Sequence, residues 1–235
     1  MSQLGVGDLL VRSFALYRRN WRRVVAMTLP IVIVVTGVTA LGLGELGARF
    51  HTSASVRDVY VELGANFLVT VPLVNSLLAR WVLVETRGEH VSSTDLVVHA
   101  LESFPQVLLV VVMWLAGLFV GVFLIVLWIF ILVSWYFGVQ AVVIDGCRGP
   151  AAIARSAGLV RGNWMRTAAT GLAFLLIVLL PGQFITGIFE SLASSANSYA
   201  LVVAGQVVAN TLTLPFLAIG STLYYLQLRA AAGGA

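Results

Sequence analysis

The chain has 235 residues, 60% of them hydrophobic and only 10% charged, with a mean hydropathy of +0.98. Soluble domains carry about 25% charged residues, so a water-exposed globule is excluded and the surplus apolar surface must meet lipid. The net charge of +4 comes from 14 arginines and no lysine. They flank apolar runs rather than forming one block, which points to membrane topology and away from nucleic acid.

The chain opens on an amphipathic stretch. At helical spacing Leu10, Phe14, Tyr17 and Trp21 share one face, with Arg12, Arg19 and Arg23 opposite. The first apolar run, residues 24–44, is 21 residues long. That exceeds the 7–15 residues of a signal-peptide core, so it is read as a retained span. Pro30 lies in its first two turns, where few helical hydrogen bonds are lost. A second span is predicted over residues 61–84, with a kink at Pro72.

A second amphipathic stretch follows. Val97, Ala100, Leu101 and Phe104 take one face; Asp95, His99 and Glu102 take the other. Ser92, three residues before Asp95, has the spacing of a helix cap. Residues 107–144 then run for 38 positions without a charge. One straight helix of that length would measure about 57 Å, nearly twice the hydrocarbon core. Two spans, residues 105–120 and 123–143, joined near Gly121, return the arginines at 148, 155, 161 and 166 to the side of residues 12–23, as the positive-inside rule favours. Gly117 and Gly121 form a small-residue packing pair. Asp145 closes the fourth span beside Gly146 and Arg148, where a turn with a local Asp–Arg pair is expected.

The third amphipathic stretch places Ile153, Ala157, Val160 and Trp164 on one face and Arg155 and Arg166 on the other. Span five covers residues 167–188 with Pro181, and span six residues 199–226 with Pro215. Six spans put both termini on the cytoplasmic side of a bacterial plasma membrane. Twelve arginines then fall inside, against Arg49 and Arg57 outside.

The first and third amphipathic stretches are copies. RSFALYRRNWRRVVAMTL at residues 12–29 and RSAGLVRGNWMRTAATGL at 155–172 agree at nine of 18 positions. Among these are Arg12/Arg155, Ser13/Ser156, Arg18/Arg161, Asn20/Asn163, Trp21/Trp164 and Arg23/Arg166. The middle stretch lacks Asn-Trp, although DLVVHAL at 95–101 echoes DLLVRSF at 8–14. The expected fold is therefore all-α: one membrane domain, residues 1–235, of six transmembrane helices in three hairpins. Its pseudo-repeats are 8–84, 92–146 and 150–228, each led by a cytoplasmic interfacial helix. In that arrangement Trp21 and Trp164 sit at the elbow where the chain enters the membrane. Asn20 and Asn163 satisfy backbone groups at the bend.

No catalytic, metal or cofactor constellation is legible. His51, His90 and His99 lie on different segments without a partner at metal-ligand spacing. Glu85, Glu89 and His90 read as a solvated charged loop beside Arg87. No ionisable residue falls at mid-membrane, where transporters commonly carry one. The intramembrane polar residues Asn66, Thr70, Asn75, Gln140, Gln183, Gln206, Asn210 and Thr213 suit hydrogen bonds between helices. Pro72, Pro181 and Pro215 read as kinks absorbed by packing. Cys147 is the single cysteine, so an internal disulfide is excluded.

The string FGVQAVVIDGCRGPAAIARSAGLVRGNWMRT resembles the signature of the glycerophosphoryl diester phosphodiesterase membrane-domain family and its small polytopic relatives. The positions that carry the resemblance are Asp145, Gly146, Ala152, Arg155, Ser156, Leu159, Arg161, Asn163 and Trp164. The six-span layout is similar too. Nothing in the chain matches the catalytic barrel for which that family is named, so phosphodiesterase activity is not carried over.

The expected function is a non-enzymatic membrane module that assembles with a protein partner or its own copies, or organises anionic lipid at the cytoplasmic face. The contacts would be Arg12, Arg18, Trp21, Arg23, Arg155, Arg161, Trp164 and Arg166. The alternative is a transporter or permease component for a small or amphiphilic solute, favoured by the kinked spans and the repeat.

Overall fold

The computed structural model describes residues 5–50, 55–89, 91–121 and 125–233. Among the described residues the chain is all-helical. In order, α1 is Val6–Leu43, followed by a 3-10 turn at Glu45–Gly47. Next come α2 (Val56–Ala65), a π-turn (Asn66–Thr70) and α3 (Val71–Arg87). They are followed by α4 (Ser93–Gly121), α5 (Ile125–Ser134), α6 (Gly138–Asp145), α7 (Pro150–Val160), α8 (Trp164–Ala196) and α9 (Ala200–Gly233). Among the described residues six helical segments are long and apolar enough to cross a membrane.

Each predicted span has its counterpart. The uncharged 38-residue run does split: α4 ends at Gly121 and a further helix begins at Ile125. The centre of the turn expected there lies outside the described residues. The second half of the split is itself interrupted at Trp135–Phe137, between α5 and α6. The kink expected at Pro72 takes another form. Proline cannot donate to the preceding turn, and the π-turn immediately before it absorbs the mismatch. Helices α4, α8 and α9 run on through Pro105, Pro181 and Pro215.

Helix α9 is the centre of the bundle and faces two apolar cores. One gathers Val24, Leu77, Leu78 and Trp81 around Ala218 and Ile219. The other gathers Val107, Phe137, Phe174 and Ile153 around Tyr224 and Tyr225. Glycine lets the helices approach. A Cβ on Gly220 would stand 2.0 Å from the ring of the fully buried Phe174. A Cβ on Gly117 would stand 2.5 Å from the Trp135 ring, and one on Gly121 3.1 Å from the Trp128 backbone, so this pair does seat α5. Gln140 Nε2 donates to Ser221 Oγ at 2.9 Å, tying α6 to α9. Away from these seams Leu172, Leu180 and Phe184 on α8 are exposed, an apolar surface suited to lipid.

Contacts at one end of the bundle bring the start of α1, the end of α3 and the start of α4 together. Arg19 reaches Glu85 at 4.0 Å, and Arg23 donates to the Val91 carbonyl at 2.6 Å. Leu9, Ile153 and Leu228 share one core, so the start of α7 and the end of α9 join the same end. We call it the arginine end.

Candidate functional site

The arginine end is built on the two copies of the Arg-Asn-Trp phrase. In the first, α1 bends but does not stop. Asn20 leaves the helical region (φ −116°, ψ 17°), and its Nδ2 donates to the Leu16 carbonyl at 3.3 Å, as a residue repairing a bend should. In the second, Asn163 has nearly the same backbone conformation (φ −122°, ψ 19°), yet here α7 ends and α8 begins. Its side chain makes no capping bond; its carbonyl accepts from Thr167 N–H at 2.8 Å. The difference lies one residue earlier. Gly162 takes φ +85°, and the matching position in the first copy is Arg19. A side chain in that left-handed region is disfavoured, so only the glycine copy turns a full corner.

The faces fall differently from the simple amphipathic pattern. In the amphipathic stretch of α1 Leu9 and Ser13 are the fully buried residues, and from the predicted apolar face Leu10 and Tyr17 pack partly buried against the cores. Phe14 and Trp21, which belong to that face, are exposed at 56% and 50%. On α7 the predicted Ile153 and Val160 are buried, joined by Ala152, Ser156 and Leu159. On α4 Ala100 is buried with Leu96, whereas Leu101 is exposed. Ser92 accepts the Asp95 N–H at 3.1 Å, closing the expected cap.

The eight candidate contact residues divide by what holds them. Arg12, Arg18 and Arg161 are exposed, and their side chains make no hydrogen bond or ion pair among the described residues. Trp21 is exposed beneath the Arg22 guanidinium, 5.6 Å from its ring centre. Arg23 is spent on the Val91 carbonyl, and Arg166 has interactions of its own within the fold. Trp164 is half-buried, its Nε1 enclosed and without a hydrogen-bond partner among the described residues. It lines a groove of about 670 Å³ between α5, α7 and the start of α8, which also includes Phe130, Val160 and Arg161.

Arg155 is held by a carboxylate. Asp145 Oδ2 accepts from Arg155 Nε at 2.8 Å and from Tyr225 OH at 2.8 Å, and Arg229 Nε stands 3.1 Å from Oδ1. The Asp145 side chain is only 9% exposed. Hydrogen bonding to Asp145, against a smaller opposing effect of burial, raises the Arg155 pKa. The expected Asp–Arg pair therefore exists, but with arginines ten and 84 residues away rather than with neighbouring Arg148. Gly146 makes this possible by capping α6 in the left-handed region (φ 68°), turning the chain so that α7 doubles back.

Ser156 is the site residue whose job the sequence hid. Its Oγ accepts from Phe137 N–H at 3.0 Å and donates to the Ser134 carbonyl at 2.8 Å. These are backbone groups freed where α5 breaks from α6, and inside lipid they must be satisfied by protein. Ser13 is equally buried but bonds only the Leu9 carbonyl of its own helix.

Among the described residues no group of three or more histidine, cysteine or acidic side chains is placed to hold a metal. His51 and His90 lie outside the described residues. Cys147 is a half-buried free thiol.

Residues 51–228 match the family described as Domain of unknown function (DUF7847). The match covers about three quarters of the chain, and the protein belongs to that family. It takes in Asp145, Ser156 and the second copy of the phrase, and begins after the first. No curated protein and no solved structure matches the chain.

Proposed function

We propose that the protein is a non-enzymatic multi-pass membrane module whose arginine end binds anionic lipid or docks a partner at the cytoplasmic face. The observation that carries the reading is the pairing of exposed Arg12, Arg18 and Arg161 with exposed apolar side chains on the same or adjoining turns. Val11 and Phe14 flank Arg12, Trp21 follows Arg18, and Met165 follows Arg161. Helices of that kind lie in the interface, rings and aliphatic chains among acyl chains and guanidiniums at phosphate depth.

In this reading the six spans form three hairpins, each led by an interfacial helix, with both termini cytoplasmic. The groove beside Trp164 accepts an acyl chain while Arg161 meets the headgroup. Asp145 with Arg155 and Arg229 is the rigid frame behind this surface. Kinship with the glycerophosphoryl diester phosphodiesterase membrane domains belongs to the same proposal, resting on the Asp145-to-Trp164 string.

The test is thermal stability in nanodiscs of rising phosphatidylglycerol content, for the wild type and the Arg12→Gln, Arg18→Gln, Arg161→Gln triple variant. The wild type should gain stability with anionic lipid and the variant should gain little. Parallel slopes, together with unchanged capture of partners by pull-down, would defeat the reading.

A further inference from the structure

The groove beside Trp164 marks a second difference between the two copies of the phrase. Ala154, Ala157, Gly158 and Arg161 line it from one face of α7, at spacings of three and four residues. In the first copy the matching positions are Val11, Phe14, Ala15 and Arg18. The arginine is kept while the bulk beside it is taken away. Val11 and Phe14 themselves are exposed, so the first elbow presents a ring where the second presents an opening.

The groove joins an elbow to a span. Arg161 lies at the corner between α7 and α8, whereas Phe130 and Ser134 belong to the apolar segment Leu127–Asp145. Phe130, Ala154 and Gly158 are exposed, so the groove is open to whatever surrounds the bundle. Around a membrane-spanning segment that is acyl chain. Left empty, the groove would deprive its lining of contacts on one side, and water does not settle against so apolar a wall.

Charge selects the head of the occupant. Among the described residues that line the groove Arg161 alone is charged, and no acid stands beside it. A phosphate without an accompanying ammonium group is its complement. Volume selects the tail. A methylene is close to a water molecule in size, roughly 30 Å³, so about 670 Å³ holds about 20 of them, one acyl chain and not two. We propose that the second elbow takes one anionic phospholipid into the fold, its phosphate on Arg161 and one acyl chain between α5 and α7, while the first elbow meets lipid only at its surface. This rests on the lipid-binding reading of the arginine end and narrows it to one site in one copy.

A chain already in lipid gains no hydrophobic energy by entering the groove. The groove therefore fixes where the lipid sits, and Arg161 fixes which lipid it is. Substitution separates the two. Ala157→Phe puts the matching ring of the first copy into the groove and keeps Arg161. Arg161→Gln keeps the groove and removes the charge.

The experiment places the protein in phosphatidylcholine nanodiscs with a trace of phosphatidylglycerol that carries a diazirine on one acyl chain, and maps the photolabel by mass spectrometry. In the wild type, residues 130–134 and 154–158 should be labelled more heavily than the exposed face of α8 around Leu172 and Leu180. Unlabelled phosphatidylglycerol should compete for that labelling, and added phosphatidylcholine should not. Arg161→Gln should weaken the competition by about fivefold, as loss of one arginine–phosphate contact does. Ala157→Phe should lose the groove labelling, and Phe14→Ala should keep it. If Ala157→Phe fails to fold, Ala154→Leu, on the exposed side of α7, carries the test. The proposal is overturned if the groove is labelled no more than α8, if phosphatidylglycerol does not compete, or if a folded groove-filling variant labels as the wild type does. A groove closed by a second copy or by a protein partner would show no label and overturns it too. Ala157→Phe retains Arg12, Arg18 and Arg161, so its stability should still rise with phosphatidylglycerol. Groove labelling that fails while that rise persists refutes the groove alone; loss of both refutes the lipid reading of the arginine end as well.

Discussion

The two copies of the Arg-Asn-Trp phrase share nine residues and one backbone bend, and they do different jobs. The first is a kink in a continuous helix that leaves Arg12 exposed and Ser13 bonded within its own turn. The second is a corner in which Arg155 is locked to Asp145 and Ser156 closes a broken span. The shared residues preserve the bend. The partners contributed by the rest of the chain decide whether the bend is a hinge at the surface or a joint in the frame.

The largest way to break this contrast is to remove the partner. Asp145→Ala leaves Arg155 and Arg229 facing each other and Tyr225 without its acceptor, making the second copy resemble the first. A fully buried pair would lose about 3–5 kcal/mol, but the two arginine side chains are 40% and 38% exposed. About 2–3 kcal/mol of destabilisation is therefore expected in detergent unfolding titrations. Next comes a direct comparison of the matched serines. Ser156→Ala orphans two buried backbone groups and should cost about 2 kcal/mol, whereas Ser13→Ala should cost about 0.5 kcal/mol. Equal costs would mean that the two elbows are equivalent after all.

A smaller effect is expected at the corner itself. A Cβ at Gly162 would meet open space, but the residue sits at φ +85°, so Gly162→Ala should cost about 1 kcal/mol through backbone strain alone. The same measurement on Gly158→Ala, inside α7, should show a gain of up to about 1 kcal/mol from helix propensity. The mildest test concerns the other end of the bundle. Glu45 has a folded pKa of about 7, raised above the ordinary carboxyl range. Its contribution to stability is therefore present below about pH 4.5 and lost as pH rises through about 7. The Tm in zwitterionic detergent should fall over that window, and Glu45→Gln should flatten the fall.

Much of this architecture was legible in the chain. Apolar run lengths marked six spans, the uncharged 38-residue stretch divided as its length demanded, and Ser92 capped α4 as its spacing indicated. The repeated phrase located both bends. What was hidden depends on contacts distant in sequence. The break at Trp135–Phe137 is stable only because Ser156, 19 residues from Phe137, satisfies it. Arg229 reaches Asp145 from the far end of α9, which no local pattern reveals. Glu45 and Glu62 are 17 residues apart, and no local pattern pairs them; the packing of α1, α2 and α9 brings them to one cavity. The π-turn replaces a kink that Pro72 alone would have placed a few residues later.

The central claim is that exposed arginines at the two elbows hold anionic lipid. Native mass spectrometry of the protein released from a mixed phosphatidylglycerol and phosphatidylcholine membrane tests it most directly. Each phosphate-facing arginine is worth roughly 1 kcal/mol. The wild type should therefore retain phosphatidylglycerol in clear preference, and the Arg12→Gln, Arg18→Gln, Arg161→Gln variant should lose most of that preference. A wild type that carries the two lipids in the proportions of the membrane, or a variant as selective as the wild type, would contradict the account.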